Sequence, residues 1–250
     1  MSSFKDYFSV QSTHYRDFRP TYPESMFHFL AEMSPGHSLA WDCATGNGQA
    51  ARSLVPFFKR IIATDASAQQ IQNAPPDEKI EYRVSPAEQI GIDDHSVDLI
   101  TVAQAFHWFN AEKFFQESER VLKPGGVLAI WSYRLHTITP EIDRIVLKYY
   151  DEILGSYWPP ERKMVDQDYA EIQFPFKSVP VPEGFRMEAQ WDFSHLLGYL
   201  RTWSAAKLYV QKNQTEALGL ILEELTEAWG DTNQKKRTVI WPLNLIVRKK

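Results

Sequence analysis

The chain has 250 residues, a mass of 29.0 kDa and a formal net charge of −5. That length suits one α/β domain with a modest cap and is a squeeze for two full domains, while 44% hydrophobic and 14% aromatic residues exclude a disordered chain. The acidic balance gives no general electrostatic reason to bind phosphate backbones, and Lys249 and Lys250 read as a solvated tail, so nucleic acid is not expected as a partner.

In chain order, the start from Met1 to Tyr7 carries no basic stretch followed by an apolar one. No apolar run approaches the ~20 residues of a membrane span, so a soluble, unprocessed protein without a membrane partner is expected. The first half then alternates short apolar runs with amphipathic ones, the pattern of a parallel sheet flanked by helices. Strands are expected at Ser38–Cys43, Arg60–Thr64, Ile80–Val84, Val97–Ala103 and Gly126–Ser132. Helices are expected at Glu24–Met33 after Pro23, Gln49–Leu54 before Pro56, Ser67–Asn73 with a serine cap, and Ala111–Leu122 before Lys123-Pro-Gly-Gly.

After Ser132 the texture changes, since residues Ser156 to Gly184 hold five of the fifteen prolines. A cap is expected over Thr139 to Gly184. Two late strands, Arg186–Phe193 and Thr238–Val247, would form an antiparallel pair, although Pro242 cannot donate to a ladder. Between them lies helix, including Gln214–Trp229, where Leu218, Leu222, Leu225 and Trp229 share a face.

Cys43 is the only cysteine, so no intramolecular disulfide or cysteine-based zinc cage can form, and a reducing, cytoplasmic setting is expected. The histidines His14, His28, His37, His95, His136 and His195 show no metal-ligand spacing, so no metal is expected.

The most informative stretch runs from Leu39 to Ala51. A strand ends in Asp42 and leads into Gly46-x-Gly48 before a helix, and glycines there allow a tight turn and a close ligand approach. The next strand ends in Asp65, 23 residues after Asp42. A carboxylate at that place can accept the ribose hydroxyls of an adenosine, so the pair reads as a nucleoside site. The same residues, as Gly46-x-Gly48-x-x-Ala51, also satisfy a dinucleotide fingerprint, which keeps nicotinamide cofactors open. Asp42 weighs against a pyrophosphate and suits the charged amino group of a methionine moiety.

Five features occur in order: Asp42-x-Ala-x-Gly46-x-Gly48, Asp65 closing the second strand, Pro86-Ala-Glu88, Val97-Asp-Leu-Ile100 and Leu122-Lys-Pro-Gly-Gly126. Together they resemble the class I methyltransferases that use S-adenosylmethionine (SAM). The resemblance covers roughly Asp17 to Ser132. Gln104-Ala-Phe-His-Trp-Phe109 and Tyr15-Arg-Asp-Phe-Arg-Pro-Thr-Tyr22-Pro draw it towards the methyltransferase type 11 and trans-aconitate methyltransferase-like branch.

The resemblance implies a Rossmann-like, doubly wound α/β sheet of seven strands, five parallel plus a late antiparallel pair, with a small helical cap. Residues 1–132 would be the SAM-binding core with an N-terminal lid, 133–184 the cap, and 185–250 the strands and helices completing the same domain. It also implies that Asp42, Ala44, Gly46 and Gly48 hold the methionine end, Asp65 and Ala66 the ribose, and Ala87 and Glu88 the adenine. Gln104, Ala105, Phe106 and Trp108 would form the strand-four wall, with Tyr15, Arg19 and Tyr22 closing the site. The family more often has glycine at Ala44, and alanine fits there if its φ is not positive.

Methyl transfer mainly needs alignment and exclusion of water. A carboxylate acceptor needs no base, whereas a hydroxyl acceptor would draw on His107. Local hydrogen bonding is the alternative role for His107, and helix-start packing that for Phe106, Trp108 and Phe109. Substrate choice should come from the later half, where Trp131, Tyr133, Tyr149, Tyr150, Trp158, Trp191, Trp203 and Tyr209 concentrate bulky rings, most of them expected in ordinary packing. Arg134, Arg162 and Arg201 read first as solvated surface charges and second as partners of an acidic substrate.

The leading expectation is a SAM-dependent methyltransferase acting on a small-molecule acceptor at oxygen, either carboxylate or hydroxyl, as a monomer or homodimer. A nicotinamide-dependent oxidoreductase and a non-catalytic SAM-binding protein remain the alternatives.

Overall fold

The computed structural model describes residues 20–232 and 235–250. In chain order the elements are α1 (Glu24–Met33), β1 (Leu39–Cys43), α2 (Gln49–Leu54), β2 (Arg60–Asp65), α3 (Ala68–Asn73), β3 (Ile80–Val84), β4 (Val97–Ala103), α4 (Ala111–Val121) and β5 (Leu122–Tyr133). There follow α5 (Pro140–Lys148), a π-helical turn at Tyr149–Ile153, α6 (Arg162–Asp166), β6 (Lys177–Ser178), β7 (Arg186–Trp191), α7 (Phe193–Arg201), α8 (Ser204–Asn213), α9 (Leu222–Trp229) and β8 (Arg237–Lys249).

The sheet runs β3-β2-β1-β4-β5-β8-β6, with β7 paired to β8. The first five strands are parallel and β8 is antiparallel to β5. Strands buried on both faces need continuous apolar runs rather than alternation, and β1, β2 and β4 are built that way. On one face Ala40, Ile61, Leu99, Val127 and Trp131 pack under Met26, Phe27, Leu30 and Leu54 of α1 and α2. On the other, Trp41, Ile62, Ile100 and Leu128 pack under Phe114 and Val121 of α4. A third cluster joins Ile142, Tyr149, Trp191, Leu196, Trp203, Leu225 and Trp241 in the C-terminal half.

Several helix ends follow from local chemistry. Ser67, Asn110, Thr139 and Asp192 cap their helices by accepting the amides of Gln70, Lys113, Ile142 and His195. The expected helix over Gln214–Trp229 is broken. Gln214 ends α8 in the left-handed region at φ 58°, a short 3₁₀ turn covers Ala217–Leu220, and α9 starts only at Leu222. Leu218, Leu225 and Trp229 are buried, whereas Leu222 is exposed because the helical phase restarts at the break.

The late strands form, and β8 passes straight through Pro242. Its first half, Arg237 to Pro242, pairs with β7, and its second half, Leu243 to Lys249, pairs with β5. Pro242 stands where one ladder ends and the other begins, so its missing N–H costs little. The two-residue β6, not among the expected strands, adds an eighth strand. Among the described residues, no helix is long and apolar enough to cross a membrane.

Candidate active site

In an open α/β sheet, ligands bind beyond the carboxyl ends of the strands where the strand order reverses. Here that point lies between β1 and β4, and the motif residues meet there. Asp65 closes β2 and is half-buried. Its Oδ2 accepts the Gly46 amide at 2.9 Å and its Oδ1 the Ser67 amide at 2.9 Å. The glycine loop is thus fastened to the second strand end. Gly46 and Gly48 have φ of 56° and 81°, conformations that glycine takes without penalty. A Cβ at Gly46 would meet nothing within 4 Å, so the outer side of the loop is open to a ligand. A Cβ at Gly48 would collide with the Tyr82 hydroxyl.

Asp42 lies beneath this loop and is fully buried. Its Oδ1 accepts from Thr101 Oγ1 at 2.7 Å and its Oδ2 from Thr45 Oγ1 at 2.6 Å. Burial, only partly offset by those donors, pushes its carboxyl up to about 6. Its direct partners are the loop and β4, so it supports the site from below. Ala44 departs from the condition set for it by the sequence: its φ is 55°, in the region that disfavours a Cβ. Ala66 is exposed, just before the Ser67 cap of α3. Ala87 is buried, and Glu88 accepts the Asn110 amide at 2.9 Å, tying the loop after β3 to the start of α4.

Beyond β4, Gln104 holds a φ of 54°, with its amide donating to Trp131 O and its Nε2 to Tyr133 O. Such strain persists where the surroundings over-determine it, commonly at functional sites. Ala105 is buried and begins a 3₁₀ turn over Phe106–Trp108. Phe106 is a core residue rather than a site wall. Its ring lies 5.6 Å from Phe115, 5.4 Å from Tyr169 and 5.6 Å from Phe174. His107 and Trp108 instead face a cavity of about 100 Å³. Tyr22 packs edge-on against Trp131 at 5.4 Å, and Pro20 O accepts from Gln49 Nε2 at 2.8 Å, so this segment lies against α2 and β5. Tyr15 and Arg19 lie outside the described residues.

His107 Nδ1 sits 3.3 Å from the Tyr169 hydroxyl. Burial, with the nearby Arg162 charge, drives its pKa down to about 3. A histidine so held is neutral at physiological pH and a poor proton acceptor, which counts against its expected role as a base.

Opposite Gln104, His107 and Trp108, the cavity is walled by Tyr133, Tyr150, Trp158, Tyr199, Trp203 and Arg162. Four of the rings singled out in the sequence therefore converge here, whereas Trp131, Tyr149 and Trp191 are core, and Tyr209 packs on Tyr157 at 5.0 Å. Arg134 and Arg201 are surface cations paired with Asp168 and Glu216, and Arg134 also lines the cavity. Arg162 is not: its side chain is only 22% exposed and stands in the cavity wall. The sequence signal for it was weak, a lone arginine after Pro159-Pro160 with no periodic pattern around it.

Residues 41–130 match the sequence profile of the family described as a methyltransferase domain. A Dictyostelium discoideum protein assigned as a methyltransferase is 36% identical over 255 residues, covering 100% of this chain and 97% of its own length. A Saccharomyces cerevisiae protein assigned as an S-adenosylmethionine-dependent methyltransferase is 33% identical over 163 residues, which is 60% of this chain and 56% of that protein. A solved structure from Anaeromyxobacter dehalogenans, assigned as a type II methyltransferase, superposes with a TM-score of 0.87 at 37% identity, covering 92% of this chain and 97% of that one. The profile match spans the glycine loop and the acid at the end of β2, and none of these matches is a nicotinamide-dependent enzyme. The chain belongs to the class I methyltransferases, enzymes whose methyl donor is S-adenosylmethionine.

Proposed function

We propose that this enzyme methylates a small-molecule acceptor at oxygen, and that a carboxylate fits the site better than a hydroxyl. One observation carries the reading: the cavity beyond β4 is small, about 100 Å³, and among the described residues the one histidine in its wall is a poor proton acceptor at neutral pH. His107 is held at about 3, and burial pushes the Tyr150 phenol well above its usual range. A carboxylate is already ionised at neutral pH and brings its own lone pair, so it needs no base.

The residues present fit the donor. The open side of Gly46 leaves room for a ligand backbone, and Asp65 at the end of β2 is the acceptor that this reading assigns to the ribose hydroxyls. Ala66 and the Ala87–Glu88 loop would border the nucleoside, and Gly46, Gly48, Gln104 and Ala105 the methionine end. SAM supplies an electrophilic methyl whose transfer leaves a neutral thioether. The protein orients the acceptor oxygen from the cap side and excludes water with Trp108, Tyr150, Trp158 and Trp203, which is most of what such a displacement asks. The net charge of −5 and the small cavity favour a small acceptor over a nucleic acid, and the single buried cysteine suits a cytoplasmic enzyme, which we take to be a monomer or homodimer.

The test is incubation with SAM and a panel of small carboxylic acids and phenols, with products read by mass spectrometry. Methyl esters are expected. Methyl ethers alone, or transfer only to nitrogen or carbon, would overturn the carboxylate reading. In parallel, Asp65→Ala should weaken S-adenosylhomocysteine binding at least about ten-fold, as loss of a charge-assisted hydrogen bond predicts.

A further inference from the structure

Arg162 is held on one edge only. Its Nε donates to the Tyr150 hydroxyl at 2.9 Å and lies 3.2 Å from Asp166 Oδ1. The Tyr150 hydroxyl in turn lies 2.9 and 3.0 Å from the two oxygens of Asp166. The guanidinium carbon stacks 5.6 Å from the Tyr150 ring centroid and 5.3 Å from that of Trp158, which fixes the plane of the group. Among the described residues, no hydrogen bond is made by Nη1 or Nη2.

The ion pair is also divided between two spaces. Arg162 lines the 100 Å³ cavity and Asp166 does not. Asp166 lines a separate groove of about 650 Å³, which Arg162 does not reach. Tyr150, Leu135 and Arg134 are walls of both, and Arg134 is already paired with Asp168. The Arg162 cation therefore faces the small cavity while its counter-ion lies behind the Tyr150 partition. A guanidinium offers parallel donors on each edge, and a half-buried one gains most from a planar acceptor on the edge left over. An arginine fixed by stacking and by one edge is pre-organised, so little side-chain entropy is lost when an anion arrives.

We propose that Arg162 is the specificity-determining residue for the acceptor, holding a carboxylate through Nη1 and Nη2 in the cavity that Trp158 and Trp203 also line. The proposal rests on the carboxylate reading of the cavity and adds to it the group that recognises the acceptor. A bidentate pair uses one lone pair on each carboxylate oxygen and leaves a second on each, so anchoring and methylation are compatible. A neutral isostere would lack that pair and leave the guanidinium edge unsatisfied, which is the kind of mismatch that discriminates strongly.

The probe pair is benzoate and benzamide, matched in shape and different in charge. Each is titrated into the full chain with S-adenosylhomocysteine present, and binding is read from tryptophan fluorescence. Benzoate should bind at least about ten-fold tighter than benzamide, since hydrogen bonds to charged groups are the stronger ones. Arg162→Met should erase that preference without changing affinity for S-adenosylhomocysteine, and Arg162→Lys should retain part of it. Equal binding of the two probes to the unaltered protein would overturn the proposal, and that arm needs no variant to fold. So would an Arg162→Lys protein whose preference is undiminished, or an Arg162→Met protein that loses both probes and S-adenosylhomocysteine alike. If benzoate binds in an Arg162-dependent way but no carboxylic acid is methylated, the carboxylate reading of the reaction fails while the anion site stands. Methyl esters formed with undiminished efficiency by Arg162→Met would have the opposite meaning.

Discussion

The Asp42 carboxylate on β1 and the Thr101 hydroxyl on β4 meet in a 2.7 Å hydrogen bond that joins the two strands at the point where the sheet reverses its order. The bond supports a charge that burial already disfavours, since Asp42 titrates near 6. A carboxyl raised above its usual value binds its proton more tightly in the folded chain, so stability falls as pH rises from about 4 to 6 and then levels. Thr101→Val removes one donor and pushes the carboxyl higher still. The variant should lose about 1–3 kcal/mol at pH 8 and less at pH 5, with Thr101→Ser near the parent. Urea unfolding at the two pH values checks this, and a deficit that does not depend on pH would speak against it.

Ala44 at φ 55° carries strain that glycine does not. Ala44→Gly should stabilise the protein by about 0.5–1 kcal/mol, the left-handed penalty less the extra freedom of the unfolded glycine. A rise in melting temperature with unchanged S-adenosylhomocysteine affinity is the expected outcome.

Gly48 and Tyr82 form a coupled pair. The tyrosine hydroxyl fills the space that a Cβ at Gly48 would need, and among the described residues it has no hydrogen-bond partner. Gly48→Ala, which also forces an alanine to φ 81°, should cost about 2–3 kcal/mol. Tyr82→Phe alone should be near neutral and should return part of that loss in the double variant, leaving the φ penalty behind. A double-mutant cycle with no coupling would show that the hydroxyl is not the obstacle.

His136 is 2% exposed, set between the rings of Tyr199 and Trp241, and neither ring nitrogen has a partner among the described residues. Burial lowers its pKa to about 3. The unfolded chain therefore takes up this proton first, and stability should fall as pH drops from about 6.5 towards 3, by about 1.4 kcal/mol per pH unit on this residue's account. His136→Phe should remove that slope while remaining at least as stable at pH 8. Denaturant midpoints at pH 4, 5, 6 and 8 separate this residue's contribution from that of His107, which acts in the same direction.

Much of this architecture could be read from the residues. The parallel strands announce themselves as apolar runs between Pro, Gly and Asn, and α1, α2, β3 and β4 begin and end where those signals stand. The loop at Asp42, Gly46 and Gly48 with Asp65 is local chemistry at fixed spacing, and the Gly46–Asp65 bond brings it together. Asp98 and Lys123 belong to the same set of motifs but act as structure. Asp98 is buried, accepts the amides of Ser38 and Leu39 and pairs with Lys123 at 2.7 Å, so it anchors the start of β1. The cap was less legible. Arg162 meets Tyr150 only because a π-helical turn and a short helix fold the segment back, and neither leaves a periodic trace in sequence. Likewise no residue type announces that Gln214 turns left-handed and splits a helix.

One strand carries an obligation that reaches back to how the chain is made. Residues 243–249 are the second edge of β5, and residues 237–242 are the only ladder partner of β7 among the described residues. On the ribosome, every other strand is synthesised before either half of β8. Until it emerges, β5 presents a long, apolar, unpaired edge, the kind of surface that recruits strands from neighbouring chains. Synthesis that stalls shortly before Arg237 should therefore yield aggregates rather than a smaller soluble enzyme, although the whole glycine loop is already present in such a fragment.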